Sequence, residues 1–494
     1  MNRWSEIREG RLILVLLVIF VSEGSVRAGA AFQDWFGRDV AGHGITLVDW
    51  EGYMANPAIE FLVRPPAGAA FPVDVRISAT EPRLSFDLPS QAGRSGPSKR
   101  LRITADQPTP VSVTIFPARQ KLKLESSLDI VLTDARGWRT ELKVPIHVIV
   151  SPSRPKPDTY PITVDFSQDQ TGFFKDAGHR AIAQQAVQDW AFYFEKIPLL
   201  EVGAQAEKTF IFEPNGFVRS NLHPNAQAYT GYLLYLYGID GPEIRSGGEP
   251  SSAGGFQVSD GKTLRIRRSG GVELETKGNY NLLGWLPDLP DADWWRATNL
   301  GDVPNDLYSI VHHESGHALI FNPANPRFHR SGVLDDPAIV AYLGRGATTD
   351  KTDHLDGIVD PASLRGAFGN EYHGRMPLGR WLITKLDLLC AQAVGYRLRK
   401  VDALTPVAIT TDHLPDATAG RPYRAAMVAE GGVPFYDWTL AAGQLPAGLV
   451  LDRFTGEISG TASRPGTAVL NVKLRDYTKD SAGVTRSLTL TVRP

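Results

Sequence analysis

Asn305-Asp306-Leu307-Tyr308-Ser309-Ile310-Val311-His312-His313-Glu314-Ser315-Gly316-His317-Ala318-Leu319-Ile320-Phe321-Asn322-Pro323 is the stretch from which the rest of the chain is read. Its apolar residues Leu307, Ile310, Val311, Ala318 and Leu319 suit a buried helix. Asp306 can charge or cap the N-terminus, and Asn322-Pro323 supplies a stop. His313 and His317 stand four apart on one face, so both imidazoles can reach a single metal ion. Glu314 lies about 100° around the helix from His313, placed to touch a metal-held water without ligating the metal. His312 points to another face and reads as a core or solvated histidine.

Around this helix the pattern is mixed. A strand-like Ile162-Thr163-Val164-Asp165-Phe166 leads into Ile182, Ala186, Val187, Trp190, Tyr193 and Phe194, whose spacing gathers them on one helical face. Tyr232 to Tyr237 and Gly271 to Glu275 read as further strands. Residues 158–404 are therefore expected to form an α+β or α/β domain. Asp288, Asp291 and Asp293 read equally well as a calcium loop or as a polar loop before Trp294-Trp295.

Both flanks change to period-two alternation. Residues 31–152 carry Val73-Asp74-Val75-Arg76-Ile77, Val111 to Ile115 and Val144 to Val148 between turn signals, the pattern of an antiparallel β-sandwich. Ser151-Pro152-Ser153-Arg154-Pro155-Lys156-Pro157 follows as a stiff linker. Residues 405–494 return to β sequence, with Leu445-Pro446-Ala447-Gly448-Leu449 before Thr455-Gly456-Glu457-Ile458-Ser459-Gly460-Thr461. This last segment resembles the immunoglobulin-like modules, distantly cadherin-like, of bacterial secreted and surface proteins. The resemblance implies a spacer or adhesive role, with contact to a cell surface or matrix.

The bulk composition narrows the classes. A chain of 494 residues calls for several domains, and a net charge of −2 without a basic stretch speaks against a nucleic-acid partner. Arg3, Arg8 and Arg11 precede an apolar run from Leu12 to Val21, and Ala28-Gly29-Ala30 follows. Residues 1–30 thus read as a secretory signal peptide, its apolar run too short to span a bilayer. The mature chain is expected to be exported, without stable membrane insertion. Cys390 is the single cysteine, so no intramolecular disulfide forms, and its apolar setting suits an inert buried thiol.

Two histidines leave a catalytic zinc site incomplete, because three protein ligands normally share the ion with water. His329, His354 and His373 lie downstream, with Glu371 as a carboxylate option. Here the chain resembles the metzincin clan of zinc peptidases, especially its bacterial matrixin-like and leishmanolysin-like members. The resemblance rests on the helix from Asp306 to Phe321, Pro337-Ala338-Ile339-Val340-Ala341-Tyr342, Asp353-His354, Phe368-Gly369-Asn370-Glu371, Met376-Pro377, Leu382 to Asp387 and Val394-Gly395-Tyr396. It implies a zincin-like catalytic domain flanked by two immunoglobulin-like sandwiches. It further implies Zn2+ on His313, His317 and His354, Glu314 as the general base, and Met376 in the turn beneath the metal. Ile320 and Pro323 stand where the clan usually has glycine and the third histidine; an inserted loop delivering the ligand later reconciles this. The activity so implied is secreted endopeptidase cleavage of protein or peptide substrates. A non-catalytic adhesion or scaffold protein and a zinc hydrolase of a non-peptide substrate are the alternatives.

Overall fold

The computed structural model describes residues 31–494 apart from 51–54, 82, 87–97, 116–123, 151–158, 170, 200–207, 212–220, 225–228, 230, 240–245, 251–255, 260–262, 267–268, 276–306, 322–326, 329–330, 352–353, 364–365, 369–381, 400–405, 434 and 479–480. The expected signal peptide, the proline-rich linker, the Asp288–Asp293 loop, and the capping and stop residues of the histidine helix lie outside the described residues.

The N-terminal strands build a sandwich of two sheets. One runs Ala31–Asp34, Ala58–Arg64, Thr109–Ile115, Leu84–Ser85; the other runs Ile45–Asp49, Arg139–Val150, Leu124–Thr133, Val73–Ala79, Ser98–Ile103. Alternation places Val73, Val75 and Ile77 in the core and leaves Asp74 and Arg76 outside. One pairing departs from the expected antiparallel plan. Ile45–Asp49 lies parallel to Arg139–Val150, with Ile45 opposite Ile146. The long separation between these two strands leaves room for the crossover that a parallel pair requires.

The middle region centres on a four-stranded sheet ordered Ile162–Asp165, Tyr232–Ile239, Ser269–Glu275, Ser246–Pro250. Its first three strands are parallel and Ser246–Pro250 is an antiparallel edge. Tyr232–Ile239 is buried at every position, as a central strand covered on both faces should be. Tyr232, Leu234 and Leu236 join the main core, whereas Leu233, Tyr235, Tyr237 and Ile239 form a separate cluster on the opposite face. Helix α1 (Ala177–Tyr193) starts at Asp176, whose carboxylate accepts from the Gly178 and His179 amides. Its six expected apolar positions, from Ile182 to Phe194, are all buried.

Helix α2 (Leu307–Leu319) packs against α1 and lies over the strands Ser246–Pro250 and Ser269–Glu275. Two short helices follow, α3 (Pro337–Leu343) and α4 (Lys385–Ala393). α4 opens with a capping box: Thr384 accepts from the Asp387 amide while Asp387 accepts from the Thr384 amide. Cys390 lies on α4, fully buried. Phe194–Lys196 pairs with Arg397–Leu398, which ties the end of α1 to the end of the region.

The C-terminal module has its own core around Trp438, Leu470, Val472 and Leu490. A four-stranded sheet (Ala417–Thr418, Val484–Arg493, Gly466–Arg475, Asp437–Ala442) is accompanied by a three-stranded one (Pro422–Ala426, Glu457–Thr461, Leu449–Leu451). Gly456 has φ +73, and a Cβ there would stand 2.6 Å from the Trp438 ring, so glycine is required on both counts.

The three parts do not follow one another as beads. The N-terminal sandwich and the middle region share one continuous core. The amides of Ala55 and Ala58 donate to the carbonyls of Ile383 (2.7 Å) and Ala362 (3.0 Å) across their junction. The N-terminal sandwich also grips the C-terminal module directly. Arg38 donates to the carbonyls of Tyr436 and Arg453 at 2.8 Å each, and its guanidinium lies 4.2 Å from the Phe454 ring centroid. Trp35 stacks on Tyr477 at 4.5 Å.

Candidate metal centre

Helix α2 presents His313 and His317 one turn apart, and a loop reaching back after Thr349 brings His354 to them. The Nε2 of His354 lies 3.3 Å from that of His313 and 3.2 Å from that of His317. Ligand nitrogens about 2.0–2.1 Å from a tetrahedral zinc stand about 3.3–3.4 Å apart. These two separations match that spacing, and the ligand nitrogens of all three histidines lie within 4.8 Å of one another, so one ion could be shared among them.

The protonation pattern fits the same assignment. Nδ1 of His317 lies 2.9 Å from the Phe321 carbonyl, which can only accept, so Nδ1 carries the proton and Nε2 keeps its lone pair. Nδ1 of His354 faces the Asp350 carboxylate at 3.8 Å, and the His354 amide donates to Asp350 at 3.1 Å. Burial, and then the two neighbouring imidazoles, hold His313 well below the usual histidine range. Burial lowers His354 to about 4 against the opposing pull of Asp350. Neutral imidazoles with depressed proton affinity are ready to ligate a metal.

Helix α2 is clamped from several sides. Trp190 Nε1 donates to the His312 carbonyl at 2.8 Å and Tyr232 donates to that of Ala318 at 3.3 Å. Tyr396 donates to the Leu319 carbonyl, so the tyrosine of the Gly395-Tyr396 pair satisfies an orphan acceptor at the helix end. His312 stacks between Trp190 (5.1 Å) and Tyr308 (5.5 Å), and burial alone lowers it to about 3. It is a core histidine facing away from the trio. Glu314 is buried, 5% exposed, on the same helix turn as the ligand candidates.

Sequence reasoning gave no role to Phe368 or Asp350. The Phe368 ring stacks on His313 at 4.4 Å and on Phe321 at 4.0 Å, nearly parallel to each, and its amide donates to Asp387 at 2.8 Å. A local signal for Asp350 exists: an acid four residues before a candidate ligand. For Phe368 the signal is Gly316, whose bare backbone makes room for the ring. Of the other candidates, His329, Glu371, His373 and Met376 lie outside the described residues.

Known proteins illuminate one end of the chain. Residues 405–493 match the family described as "Putative Ig domain". This Ig-like module coincides with the separate core around Trp438. No curated protein matches the chain. Among solved structures, a "putative alpha-galactosidase" from Bacteroides fragilis aligns at 23% identity, covering 17% of each chain, with a TM-score of 0.15. The chain thus spans about a sixth of that enzyme's length. The PapD-like domain 7 of human CEP192 aligns at 11% identity over 29% of this chain and 100% of its own, at 0.17. The protocadherin gamma B4 extracellular domain aligns at 11% over 94% of this chain and 67% of its own, also at 0.17. At these scores the likenesses carry no argument about the middle region.

Proposed function

We propose that the chain is an exported zinc-dependent endopeptidase of the metzincin type, with His313, His317 and His354 holding the metal. The observation that carries this reading is the convergence of the Nε2 atoms of His313 and His317, on a buried helix that also carries Glu314, with that of His354 from a loop. When bound, zinc supplies Lewis acidity and lowers the pKa of a water to about 7. With the metal bound, the Glu314 carboxylate would serve as the general base toward a water and then as the proton donor to the departing amine. Phe321 and Asp350 keep the imidazoles aimed by engaging their Nδ1 atoms. Phe368 fixes the plane of His313. An extended peptide suits the neighbourhood, because Ser246–Pro250 ends the sheet beside α2 and a sheet edge can take an added strand. Export follows from residues 1–30, and the Ig-like module offers contact with a cell surface or matrix.

The test separates ligation from chemistry. Purified protein should take up one zinc per chain. Glu314→Gln should keep the metal but lose about 100- to 10,000-fold in hydrolysis of casein or a peptide library, whereas His317→Ala should lose both. Failure to take up zinc at micromolar concentration, or unimpaired cleavage by Glu314→Gln, sinks the reading. A parent chain that holds zinc yet cleaves no peptide points to the non-peptide hydrolase instead.

A further inference from the structure

A second site lies away from the histidine trio. A cavity of ≈ 990 Å³ sits where all three parts of the chain meet, within the size range of small-molecule sites. The N-terminal sandwich contributes Glu60, α3 and α4 contribute Leu343 and Leu389, and the Ig-like module contributes Val407 and Val484. These walls are mostly apolar, yet Lys385 also lines them, and its side chain is 8% exposed.

The polar groups around the cavity differ in what they have left to offer. The Asp476 carboxylate accepts from the Val433 amide at 2.9 Å and from Thr478 Oγ1 at 2.7 Å. Asp360, behind the wall, accepts from the amides of Ala362, Ser363 and Leu386 at 2.8–3.0 Å and from the Tyr342 hydroxyl. Asp360 is committed through both oxygens, whereas the two Asp476 bonds both fall on Oδ2. The Lys385 ammonium instead lies over the Tyr342 ring, 4.8 Å from its centroid. Asp476 and then Asp360 bear on it as opposite charges, but among the described residues no carboxylate lies within 4.0 Å of its ammonium. A buried cation with a ring face but no counter-ion is costly unless something else completes its shell.

We propose that this cavity binds a small amphipathic carboxylate, its head on Lys385 and its apolar body along Leu343, Leu389, Val407 and Val484. Because the walls come from all three parts, the ligand also fastens the Ig-like module to the rest of the chain. The proposal is independent of the peptidase reading.

Decanoate is the probe, tested on the full chain by calorimetric titration and thermal unfolding, with decanol and decylammonium as controls for tail and charge. Decanoate should bind at micromolar concentrations and raise Tm, while the two controls do neither. Lys385→Met should weaken binding about 10- to 100-fold, the loss of one charge-assisted hydrogen bond. Ala482→Trp, at an exposed rim position, should block binding without disturbing the core, and it decides the matter should Lys385→Met fail to fold. Equal binding of decanol overturns the proposal. So does decanoate binding that survives Ala482→Trp, since the ligand would then sit elsewhere, as at the metal centre.

Discussion

A Cβ on Gly316 would stand 2.5 Å from a ring carbon of Phe368, and that same ring is stacked on His313. The glycine within the histidine motif is therefore a packing requirement of the candidate metal site. Gly316→Ala should displace Phe368, tilt His313 and cost about 1–3 kcal/mol, as overpacking typically does. Zinc affinity should fall with it. Pairing Gly316→Ala with Phe368→Leu should recover part of both losses, read by chemical unfolding and chelator competition. Additive losses in the pair would show that the two residues do not act through their contact.

Asp350 is expected to matter through His354. Its carboxylate faces Nδ1 of His354 and accepts from the His354 amide. Removing such an outer partner typically weakens a metal site about 10- to 100-fold. Asp350→Asn should fall in that range, and His354→Ala well beyond it, in zinc competition titrations. Asp350→Asn with parental zinc affinity would leave the carboxylate a purely structural role.

What could be read in advance was local. The i, i+4 histidines, the apolar face of α1 and the alternation of Val73–Ala79 each depend on residues a few positions apart, which is the range over which helix and strand periodicity operates. His354 was reached through resemblance, because nothing local in the 37 residues separating it from His317 says that they meet. The stacking of Phe368 on His313 and the parallel pairing of Ile45–Asp49 with Arg139–Val150 likewise join residues far apart in the chain. The direct grip of the N-terminal sandwich on the Ig-like module was the least visible. Arg38 and Tyr436 are 398 positions apart, and each looks like an ordinary surface residue in its own segment.

Asp387 offers a test by pH. Burial first of all raises it to about 7, although the Thr384 and Phe368 amides pull the other way. In the unfolded chain an aspartate ionises near 3.8. Between those values the folded state keeps a proton that the unfolded state has released. Asp387 therefore favours the fold at low pH, and this contribution declines as pH rises and is gone above about 7. Asp387→Asn removes the titration, while its loss of the Thr384 or Phe368 hydrogen bond is independent of pH. The Tm advantage of the parent over Asp387→Asn should thus shrink between pH 4.5 and pH 7.5. An advantage that grows over this range would mean that the carboxylate is ionised in the fold throughout.

The last expectation concerns the Ig-like module, for which the sequence resemblance implied a spacer or adhesive role. Asp437, fully buried, lies 2.8 Å from Arg453, 2.6 Å from Arg475 and 3.6 Å from Arg38. Arg38 is itself held by Asp34 at 2.7 Å inside the N-terminal sandwich. Ending the chain near Leu404 would strip Arg38 of two carbonyl acceptors and leave Trp35 without Tyr477. Such a chain should unfold at lower urea than the parent and bind a hydrophobic dye. Asp437→Ala reaches the same interface without truncation. Breaking a buried ion pair costs about 3–5 kcal/mol, and the partial exposure of Arg453 and Arg475 places this one at the lower end. Arg38→Met should cost at least as much, since it leaves the buried Asp34 carboxylate without its guanidinium and also gives up both carbonyl contacts to the module. A truncated chain with the parent's unfolding midpoint would return the module to the role of spacer.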